Sequence, residues 1–389
     1  MSYKTIKDFD LNGKTILLRA DLNVPVQDGK VTDTTRIDRL KPTIEYLTAQ
    51  DCKVVILSHF GRPKGQVNPD YSLSFLPPAL EQQWGVKVGF DKDSSETITL
   101  LENLRFNASE EANDLEYAKQ LASLGDIFIN DAFSTAHRAH ASTQKITELM
   151  PSGAGLLMEA EINALTKALE APQKPVVAVV GGAKISTKLS VLNNLVEKVD
   201  YLILGGGMAN TFTFANGAPV GKSLCEKDMV DEVKSIQAKA DAANCQIILP
   251  EDRIAIRDFK AHADHEVIGL DSIADDQESV DIGPASIQKI EKIIDEAKTV
   301  LWNGPMGVFE MKPFDNGTNK VAQAVAAKTK SGQIMSVAGG GDTVAALENA
   351  KVIEDFSYIS TAGGAFLEWI EGKELPGVAA LKSATAKAA

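Results

Sequence analysis

Residues 172–184 read PQKPVVAVVGGAK, in which five consecutive apolar residues are followed directly by two glycines. An unbroken apolar run of this length is typical of a strand that is buried on both faces of a parallel sheet. Glycines directly after such a strand let the backbone approach a ligand closely. The stretch therefore predicts an α/β fold whose ligand-binding loops follow the carboxyl ends of the strands.

The same pattern recurs along the rest of the chain. Between the apolar runs, residues such as Leu115, Ala118 and Leu121 are spaced as on one face of a helix. Strands that alternate with helices indicate βαβ units and parallel sheets. Further strands are predicted at Ile16–Leu18, Val54–Leu57, Ile98–Leu101, Ile127–Ile129, Tyr201–Leu204, Ile247–Leu249, Thr299–Trp302, Ile334–Val337 and Phe356–Ile359.

The length of 389 residues exceeds what one hydrophobic core usually supports, and it favours two or three domains. Leu157, Glu161 and Leu165 recur at fourfold spacing and predict a helix over residues 153–171, which Pro172 then ends. We expect this helix to be the hinge between two Rossmann-like domains, each a mainly parallel sheet flanked by helices. The predicted domains are residues 1–170 and 171–371.

The composition limits where the protein works and what it binds. A formal net charge of −13 disfavours attraction to nucleic acid or to an anionic membrane. The three cysteines show no CxxC or metal-ligand spacing. Residues 1–10 lack the apolar core of a signal peptide, and no run reaches the ~18 apolar residues of a membrane span. We therefore expect a cytoplasmic protein that binds neither nucleic acid nor membranes.

Arginines gather after the strands of the first half. The chain has only eight arginines, and Arg19, Arg62, Arg105 and Arg138 each follow a predicted strand end, while Arg36 lies at a helix start. The planar fork of arginine binds phosphate or carboxylate oxygens in pairs, so these residues predict a site for a small, multiply charged anion such as a phosphorylated acid. For Arg19 the residues leave a second interpretation open, an ion pair with Asp21.

Glycine loops follow the strands of the second half. The best phosphate site is residues 339–343, because glycines there precede a helix predicted from Thr343 to Ala350, and Asp342 could hold a Mg²⁺ ion that bridges phosphates. Lys184 and Lys188 are four residues apart, so a helix beginning near Ile185 would place both on one face, within reach of the phosphates. Other glycine loops lie at residues 181–182, 205–207, 303–305 and 363–364.

Standard nucleotide-binding fingerprints are incomplete in this sequence. Residues 217–223 are one residue too short for a Walker A loop, and the glycines at 205–207 are followed by Asn210 where a dinucleotide fingerprint has its third glycine. These features disfavour an ordinary P-loop ATPase and a nicotinamide-dependent dehydrogenase. A two-lobed anion receptor of the periplasmic type is the remaining alternative, disfavoured by the absence of a signal peptide pattern.

Seven motifs together resemble those of the phosphoglycerate kinase family. The resemblance implies reversible phosphoryl transfer between 1,3-bisphosphoglycerate and ADP, which gives 3-phosphoglycerate and ATP with the help of Mg²⁺. It also implies a monomer whose C-terminal segment, residues 372–389, packs on the N-terminal domain. One departure is Ala362, where the family commonly has glycine. The motifs are RADLNVP (19–25), SHFGRP (58–63), LENLRF (101–106), DAFSTAHRAHAS (131–142), GGAKISTKL (181–189), LWNGPMGVFE (301–310) and AGGGDT (338–343).

The resemblance also implies roles for individual residues. Phosphoglycerate would be bound by Asp21, Asn23, Arg36, His59, Arg62, Arg105 and Arg138. The nucleotide would be bound by Lys184, Lys188, Asn303, Glu310, Gly340, Gly341, Asp342 and Thr343. Asp342 would lie near the metal, and the catalytic residues would be Arg36, Lys184 and Lys188. Because the two ligands belong to different domains, we expect the domains to close for transfer and to exclude water.

Overall fold

The computed structural model describes residues 3–92 and 94–388, and the chain divides into two compact units. The N-terminal unit contains the chain up to Ile162 and the stretch from Glu374 onward, while the C-terminal unit is Asn163–Lys373. Each unit is a mainly parallel sheet flanked by helices, so the predicted fold class is confirmed. No helix among the described residues is long and apolar enough to cross a membrane.

The N-terminal unit is built on a six-stranded parallel sheet in the order β5-β6-β4-β1-β7-β8. A β2–β3 hairpin follows the central strand. The strands are β1 (Thr15–Arg19), β2 (Val26–Gln27), β3 (Lys30–Val31), β4 (Lys53–Leu57), β5 (Gly89–Phe90), β6 (Ile98–Leu100), β7 (Ile127–Asn130) and β8 (Ser152–Ala154). The helices are α1 (Thr35–Thr48), α2 (Pro77–Trp84), α3 (Ala108–Glu111), α4 (Leu115–Ala122) and α13 (Pro376–Ala388), while α5 (Leu156–Leu169) begins in this unit and ends in the C-terminal unit.

Burial on both faces explains the unbroken apolar runs of this sheet. On β1, Ile16 and Leu18 pack in one hydrophobic cluster and Leu17 packs in another. Successive side chains of a strand point to opposite faces, so helices must cover both sides of the sheet. Most polar side chains near this sheet therefore lie at or beyond the strand ends, which is where the candidate site lies.

The C-terminal unit has a six-stranded parallel sheet in the order β11-β10-β9-β15-β16-β17, and a three-stranded antiparallel sheet in the order β13-β12-β14. Its strands are β9 (Val176–Val180), β10 (Tyr201–Leu204), β11 (Gln246–Ile248), β12 (Asp252–Ile256), β13 (His265–Gly269), β14 (Glu278–Ile282), β15 (Thr299–Asn303), β16 (Met335–Gly339) and β17 (Tyr358–Ser360). Its helices are α6 (Leu189–Leu195), α7 (Gly206–Ala215), α8 (Val230–Ala242), α9 (Pro284–Glu296), α10 (Asn316–Lys330), α11 (Gly341–Asn349) and α12 (Gly364–Ile370).

The parallel strands of the C-terminal unit have the order of a doubly wound Rossmann sheet. The chain moves outward from β9 to β11 on one side and from β15 to β17 on the other. The order therefore reverses between β9 and β15, and ligands of such sheets bind at this switch point. All ten strands predicted from the sequence overlap strands of the two parallel sheets.

Two predicted helix starts are wrong. Helix α5 begins at Leu156 rather than at residue 153, because Ser152–Ala154 pair with β7 as an edge strand. Helix α6 begins at Leu189 rather than near Ile185. The backbone and side chain of Ser186 both donate to the carboxylate of Glu226, and these bonds hold the preceding residues in a turn. Lys184 and Lys188 therefore do not share a helix face.

Candidate functional site

Asp21 is the centre of the predicted anion site in the N-terminal unit. It follows β1, and its carboxylate accepts hydrogen bonds from the guanidinium of Arg36 at the start of α1 and from the hydroxyl of Ser134. Burial acts to raise the pKa of Asp21, but the charge of Arg36 and the Ser134 hydrogen bond outweigh it, so the pKa is lowered. Asp21 is thus a carboxylate that orients Arg36, whose side chain remains 32% exposed.

The loop after β4 is fixed by neighbours from two other strand ends. Asn23, which follows β1, accepts a hydrogen bond from the backbone N–H of Gly61 through its side-chain oxygen at 2.9 Å. Arg105, after β6, donates to the carbonyl oxygen of Gly61 at 3.0 Å, and its Nε lies 3.4 Å from a carboxylate oxygen of Glu111. Predicted substrate residues from three strand ends therefore meet at this loop.

The remaining predicted substrate residues differ in exposure. His59 is almost fully buried, with 5% of its surface exposed, whereas Arg62 and Arg138 are exposed. Within the part of the chain that the structure describes, neither arginine forms a side-chain hydrogen bond or an ion pair. Burial is the largest cause that lowers the pKa of Arg105 and of His140, and the positive charges of Arg62 and Arg138, respectively, act in the same direction. Two exposed guanidinium groups thus accompany the buried polar cluster.

Arg19 has a different role from the other arginines. It is completely buried, and it donates hydrogen bonds to Ser142, to the carbonyl oxygen of Ala20 and to the His59 ring. It forms neither a hydrogen bond nor an ion pair with Asp21. The structure therefore does not contain the ion pair that was the second interpretation of Arg19.

Lys188 lies at the switch point of the C-terminal sheet. Its Nζ donates to the carbonyl oxygen of Gly181 at 2.7 Å and to the backbone carbonyl oxygen of Asn303 at 3.1 Å. Gly181 directly follows β9, and Asn303 is the last residue of β15. Burial lowers the pKa of Lys188 to about 8, although Asp342 acts to raise it. A partly desolvated ammonium group at this position is suited to binding a phosphate.

Two glycines allow the loops after β9 and β15 to touch. Gly304 has a φ of +109°, and a Cβ added there would lie 2.2 Å from the carbonyl oxygen of Gly181. A Cβ added at Gly181 would lie 1.7 Å from the carbonyl oxygen of Pro305. Because both contacts are with backbone atoms, larger residues would force the loops apart and would move the carbonyls that hold Lys188.

The start of α11 completes the predicted nucleotide site. The amide of Asn303 donates to the carbonyl oxygen of Gly339 at 2.8 Å, while its own side-chain oxygen is buried without a hydrogen-bond donor. The hydroxyl of Thr343 accepts from the backbone N–H of Gly304 at 2.7 Å. Gly340 caps the helix with a φ of +99°, and the next two residues, Gly341 and Asp342, are exposed.

Lys184 and Glu310 stand apart from this hydrogen-bonded core. Both are exposed, and neither side chain has a hydrogen bond or an ion pair within the described residues. Burial acts to raise the pKa of Glu226, whereas the hydrogen bonds from Ser186 and the positive charge of Lys184 lower it. The structure therefore joins Lys188, Asn303, Gly340 and Thr343 through contacts, but it leaves these two side chains in solvent.

Ser134 and Glu110 are polar residues that the sequence analysis did not single out. Ser134 lies inside the 131–142 motif, and the position of a hydroxyl after β7 was the available signal. Glu110 is a buried carboxylate that accepts from both the backbone and the hydroxyl of Ser142. It has no strong sequence signal, because its helix contains only four residues and two of them are glutamates.

The residues fit a magnesium ion only in company with a ligand. No group of three or more potential metal-binding side chains occurs among residues 3–92 and 94–388. Asp342 offers one exposed carboxylate, which makes no hydrogen bond within the described chain, at the first turn of α11. Mg²⁺ is commonly held by one or two carboxylates together with substrate phosphates, so this donor set suits an ion that arrives with a nucleotide.

Comparisons with known proteins agree with one another. A family model described as phosphoglycerate kinase matches residues 6–373. The phosphoglycerate kinase of Rhodospirillum centenum is 58% identical over 394 residues, covering 98% of this chain and 100% of that protein. The phosphoglycerate kinase of Ruegeria sp. is 56% identical at the same coverage. The solved structure of phosphoglycerate kinase from Coxiella burnetii has a TM-score of 0.93 and 42% identity, covering 98% of this chain and 99% of that one.

Proposed function

The chain belongs to the phosphoglycerate kinase family, and from this membership we propose that its N-terminal unit binds the phosphoglycerate and its C-terminal unit binds the nucleotide. The chain is a phosphotransferase that moves a phosphoryl group reversibly from 1,3-bisphosphoglycerate to ADP, giving 3-phosphoglycerate and ATP. The observation that supports this assignment of sites is the different chemistry of the two strand-end clusters. One collects arginines, and the other places a lysine between glycine loops.

The phosphoglycerate site is proposed to use arginine forks and neutral donors. Arg62 and Arg138 are exposed and available to the phosphate and carboxylate oxygens, while Arg36 is held in place by Asp21. Paired N–H groups of arginine match the oxygens of these anions. The full proposed set is Asp21, Asn23, Arg36, His59, Arg62, Arg105 and Arg138.

The nucleotide site is proposed at the switch point of the C-terminal sheet. Lys188 would move from the two carbonyls to the nucleotide phosphates, and the free backbone N–H groups at the start of α11 would bind phosphate oxygens. Asp342 would hold Mg²⁺, which when bound supplies positive charge to the phosphates. The full proposed set is Lys184, Lys188, Asn303, Glu310, Gly340, Gly341, Asp342 and Thr343.

Catalysis by this arrangement needs alignment and charge neutralisation rather than a protein nucleophile. The carboxylate of 3-phosphoglycerate is itself the nucleophile toward ATP, so no Ser–His or Cys–His pair is required. We assign the transferring oxygens to Arg36 and Lys184, whose positive charges act on the developing negative charge, and the nucleotide phosphates to Lys188. The two domains, predicted at residues 1–170 and 171–371, would close to bring the ligands into line and to exclude water.

The cellular setting follows from the same reasoning. We propose a cytoplasmic monomer that works without nucleic acid or membranes. The net charge of −13 supports the absence of these two anionic partners. The direct test is a coupled assay for ATP formation from ADP and 1,3-bisphosphoglycerate with Mg²⁺. Robust ATP formation that depends on both substrates supports the proposal. A purified, folded protein that forms no ATP under these conditions would refute it.

A further inference from the structure

A chain of four buried polar side chains ends at His59 in the N-terminal unit. Arg19, Glu110 and Ser142 are each at most 1% exposed, and His59 is 5% exposed. They come from the end of β1, from α3, and from the loops that follow β7 and β4. A buried arginine and a buried glutamate are costly to desolvate unless they are paired through good hydrogen bonds. Their arrangement therefore requires a physical explanation.

The direction of every hydrogen bond in this chain follows from the chemistry of arginine. Arginine can only donate, so its Nε, 2.9 Å from the Ser142 Oγ, leaves the hydroxyl proton of Ser142 for another acceptor. That acceptor is the Glu110 Oε1 at 2.5 Å. Glu110 also accepts from the backbone N–H of Ser142 at 3.1 Å. The carboxylate and the guanidinium are thus joined through one hydroxyl.

The other end of the guanidinium determines the state of the imidazole. The Arg19 Nη2 lies 3.2 Å from the Nδ1 of His59. Because the nitrogen of Arg19 can only donate, Nδ1 must be the acceptor, and the single proton of a neutral imidazole must be on Nε2. Among the described residues, Nε2 has no hydrogen-bond partner.

We propose that Arg19, anchored by Ser142 and Glu110, is a positioning residue that holds His59 as the neutral Nε2–H tautomer, ready to donate one hydrogen bond to the anionic substrate. The substrate part of this inference rests on the proposed function, in which His59 contacts phosphoglycerate. Arg19 itself does not touch the substrate in this scheme, because all of its contacts are with buried protein groups.

The charges around His59 agree with a neutral ring. Burial is the largest cause that lowers its pKa well below the usual value, followed by the positive charge of Arg19. Arg105 and Arg36 act in the same direction, and only Asp21 acts to raise the pKa. The ring should therefore donate from Nε2 over the whole neutral range without taking up a proton.

The test is an NMR measurement of the histidine side chains in ¹⁵N-histidine-labelled protein. The chain has only five histidines, so a His59→Gln variant identifies the signals of His59. We expect a protonated Nε2 and an unprotonated Nδ1 that stay unchanged from about pH 5.5 to 8.5. A wild-type His59 that carries its proton on Nδ1, or that titrates in this range, would overturn the inference without any need for a variant.

Two variants then test how much Arg19 and Ser142 contribute to the tautomer of His59. In Arg19→Met we expect His59 to lose the fixed tautomer and its pKa to rise, although burial and the charges of Arg105 and Arg36 still hold that pKa below the ordinary histidine value. Ser142→Ala keeps both charged groups and should cause a smaller change in the same direction. Tyr117→Phe is the matched control. The charges of Glu110 and Arg19 both act on the pKa of Tyr117, but its side chain lies outside the hydrogen-bonded chain. A folded Arg19→Met protein that keeps the wild-type tautomer contradicts the proposal.

Kinetics connect the tautomer to the substrate. For folded Arg19→Met we expect the KM for 3-phosphoglycerate to rise about tenfold, as for loss of one hydrogen bond to a charged group. The KM for ATP should stay unchanged, and kcat should change less than the KM. A loss of the tautomer with an unchanged KM would refute the substrate part of the inference. Failure of wild-type protein to bind 3-phosphoglycerate would instead refute the proposed function, and the tautomer measurement would still decide the role of Arg19.

Discussion

The ammonium nitrogen of Lys188 donates a 2.7 Å hydrogen bond to the carbonyl oxygen of Gly181, at the point where the strand order of the C-terminal sheet reverses. Its position between two carbonyls keeps the side chain close to the glycine loops, and its burial lowers its pKa to about 8. Part of the Lys188 population is therefore neutral at mildly alkaline pH. A nucleotide phosphate in contact with the ammonium group would restore the full positive charge.

Nucleotide binding should take up a proton through Lys188. At about pH 8.5 a large part of the Lys188 population is neutral, and phosphate binding favours the charged form. Calorimetry of Mg²⁺-free ADP binding in buffers of different ionisation enthalpy should show uptake at pH 8.5 and almost none at about pH 6.5. A Lys188→Arg variant keeps the charge but cannot deprotonate in this range, so the uptake should disappear. The same uptake in both proteins would assign the proton to another group.

Arg36→Ala should remove transition-state stabilisation and leave the fold intact. Arg36 is partly exposed and bonded to Asp21, so its loss empties no core position. We expect kcat to fall by roughly 10² or more, as when an oriented donor to developing charge is removed. Lys41→Ala, an exposed position of the same helix, is the matched control and should be close to wild type. Steady-state kinetics and thermal unfolding of both variants check this, and an unchanged kcat in Arg36→Ala would exclude Arg36 from catalysis.

Asp342→Asn should weaken the use of Mg²⁺ with the nucleotide. The substitution keeps the size of the side chain at the start of α11 but removes its negative charge. We expect half-maximal activity to need roughly tenfold more Mg²⁺, which corresponds to the loss of one interaction with a charged group. Glu348→Gln, at an exposed position of the same helix, controls for the lost charge. Identical magnesium titrations for wild type and Asp342→Asn would contradict a role for Asp342 at the metal.

The strand-end rule explains why so much of the fold could be predicted from the sequence. Parallel strands that are buried on both faces, such as Val176–Val180, appear as unbroken apolar runs. The polar residues that follow them must then lie at one edge of a sheet. The three-stranded antiparallel sheet was not predicted, because its strand His265–Gly269 is largely exposed and has no apolar run.

Contacts between distant parts of the chain could not be predicted from local pattern. Lys188 bonds to Asn303, 115 residues further on, and this contact exists only because β9 and β15 are neighbours in the sheet. Ser134 and Asp21 are 113 residues apart and meet because β1 pairs with β7. Spacing suggested that Lys184 and Lys188 share a helix face, but the bonds between Ser186 and Glu226 prevent it.

The two units should close only when both substrates are bound. In-line transfer requires the carboxylate and the phosphoryl group at reacting distance, and water must be excluded from the site. Small-angle scattering with 3-phosphoglycerate and ADP, a pair that cannot react, should give a smaller radius of gyration than the free protein or either ligand alone. Profiles with both ligands that match those of the free protein would refute closure.

Asp131 should make the stability of the protein depend on pH between about 4 and 6. Its fully buried carboxylate accepts from the hydroxyl of Thr43 on α1 at 2.5 Å and from the backbone N–H of Met158 on α5 at 2.8 Å. Burial outweighs these bonds and raises the pKa of Asp131 from 3.8 to about 6. Because the pKa of Asp131 is higher in the folded than in the unfolded state, protonation of Asp131 stabilises the folded state at pH values below the unfolded-state pKa. This stabilisation is lost as the pH rises through the folded-state pKa.

The measurement is the free energy of unfolding of wild type and Asp131→Asn as a function of pH. A shift of roughly two pKa units corresponds to about 3 kcal/mol over the full titration. Since the unfolded carboxyl is already partly ionised at pH 4, the stability of wild type relative to Asp131→Asn should fall by about 2 kcal/mol from pH 4 to pH 7. Asp51→Asn, at an exposed position, serves as the control for a generic carboxylate. A constant difference between wild type and Asp131→Asn would mean that the bonds from Thr43 and Met158 offset the cost of burying the charge.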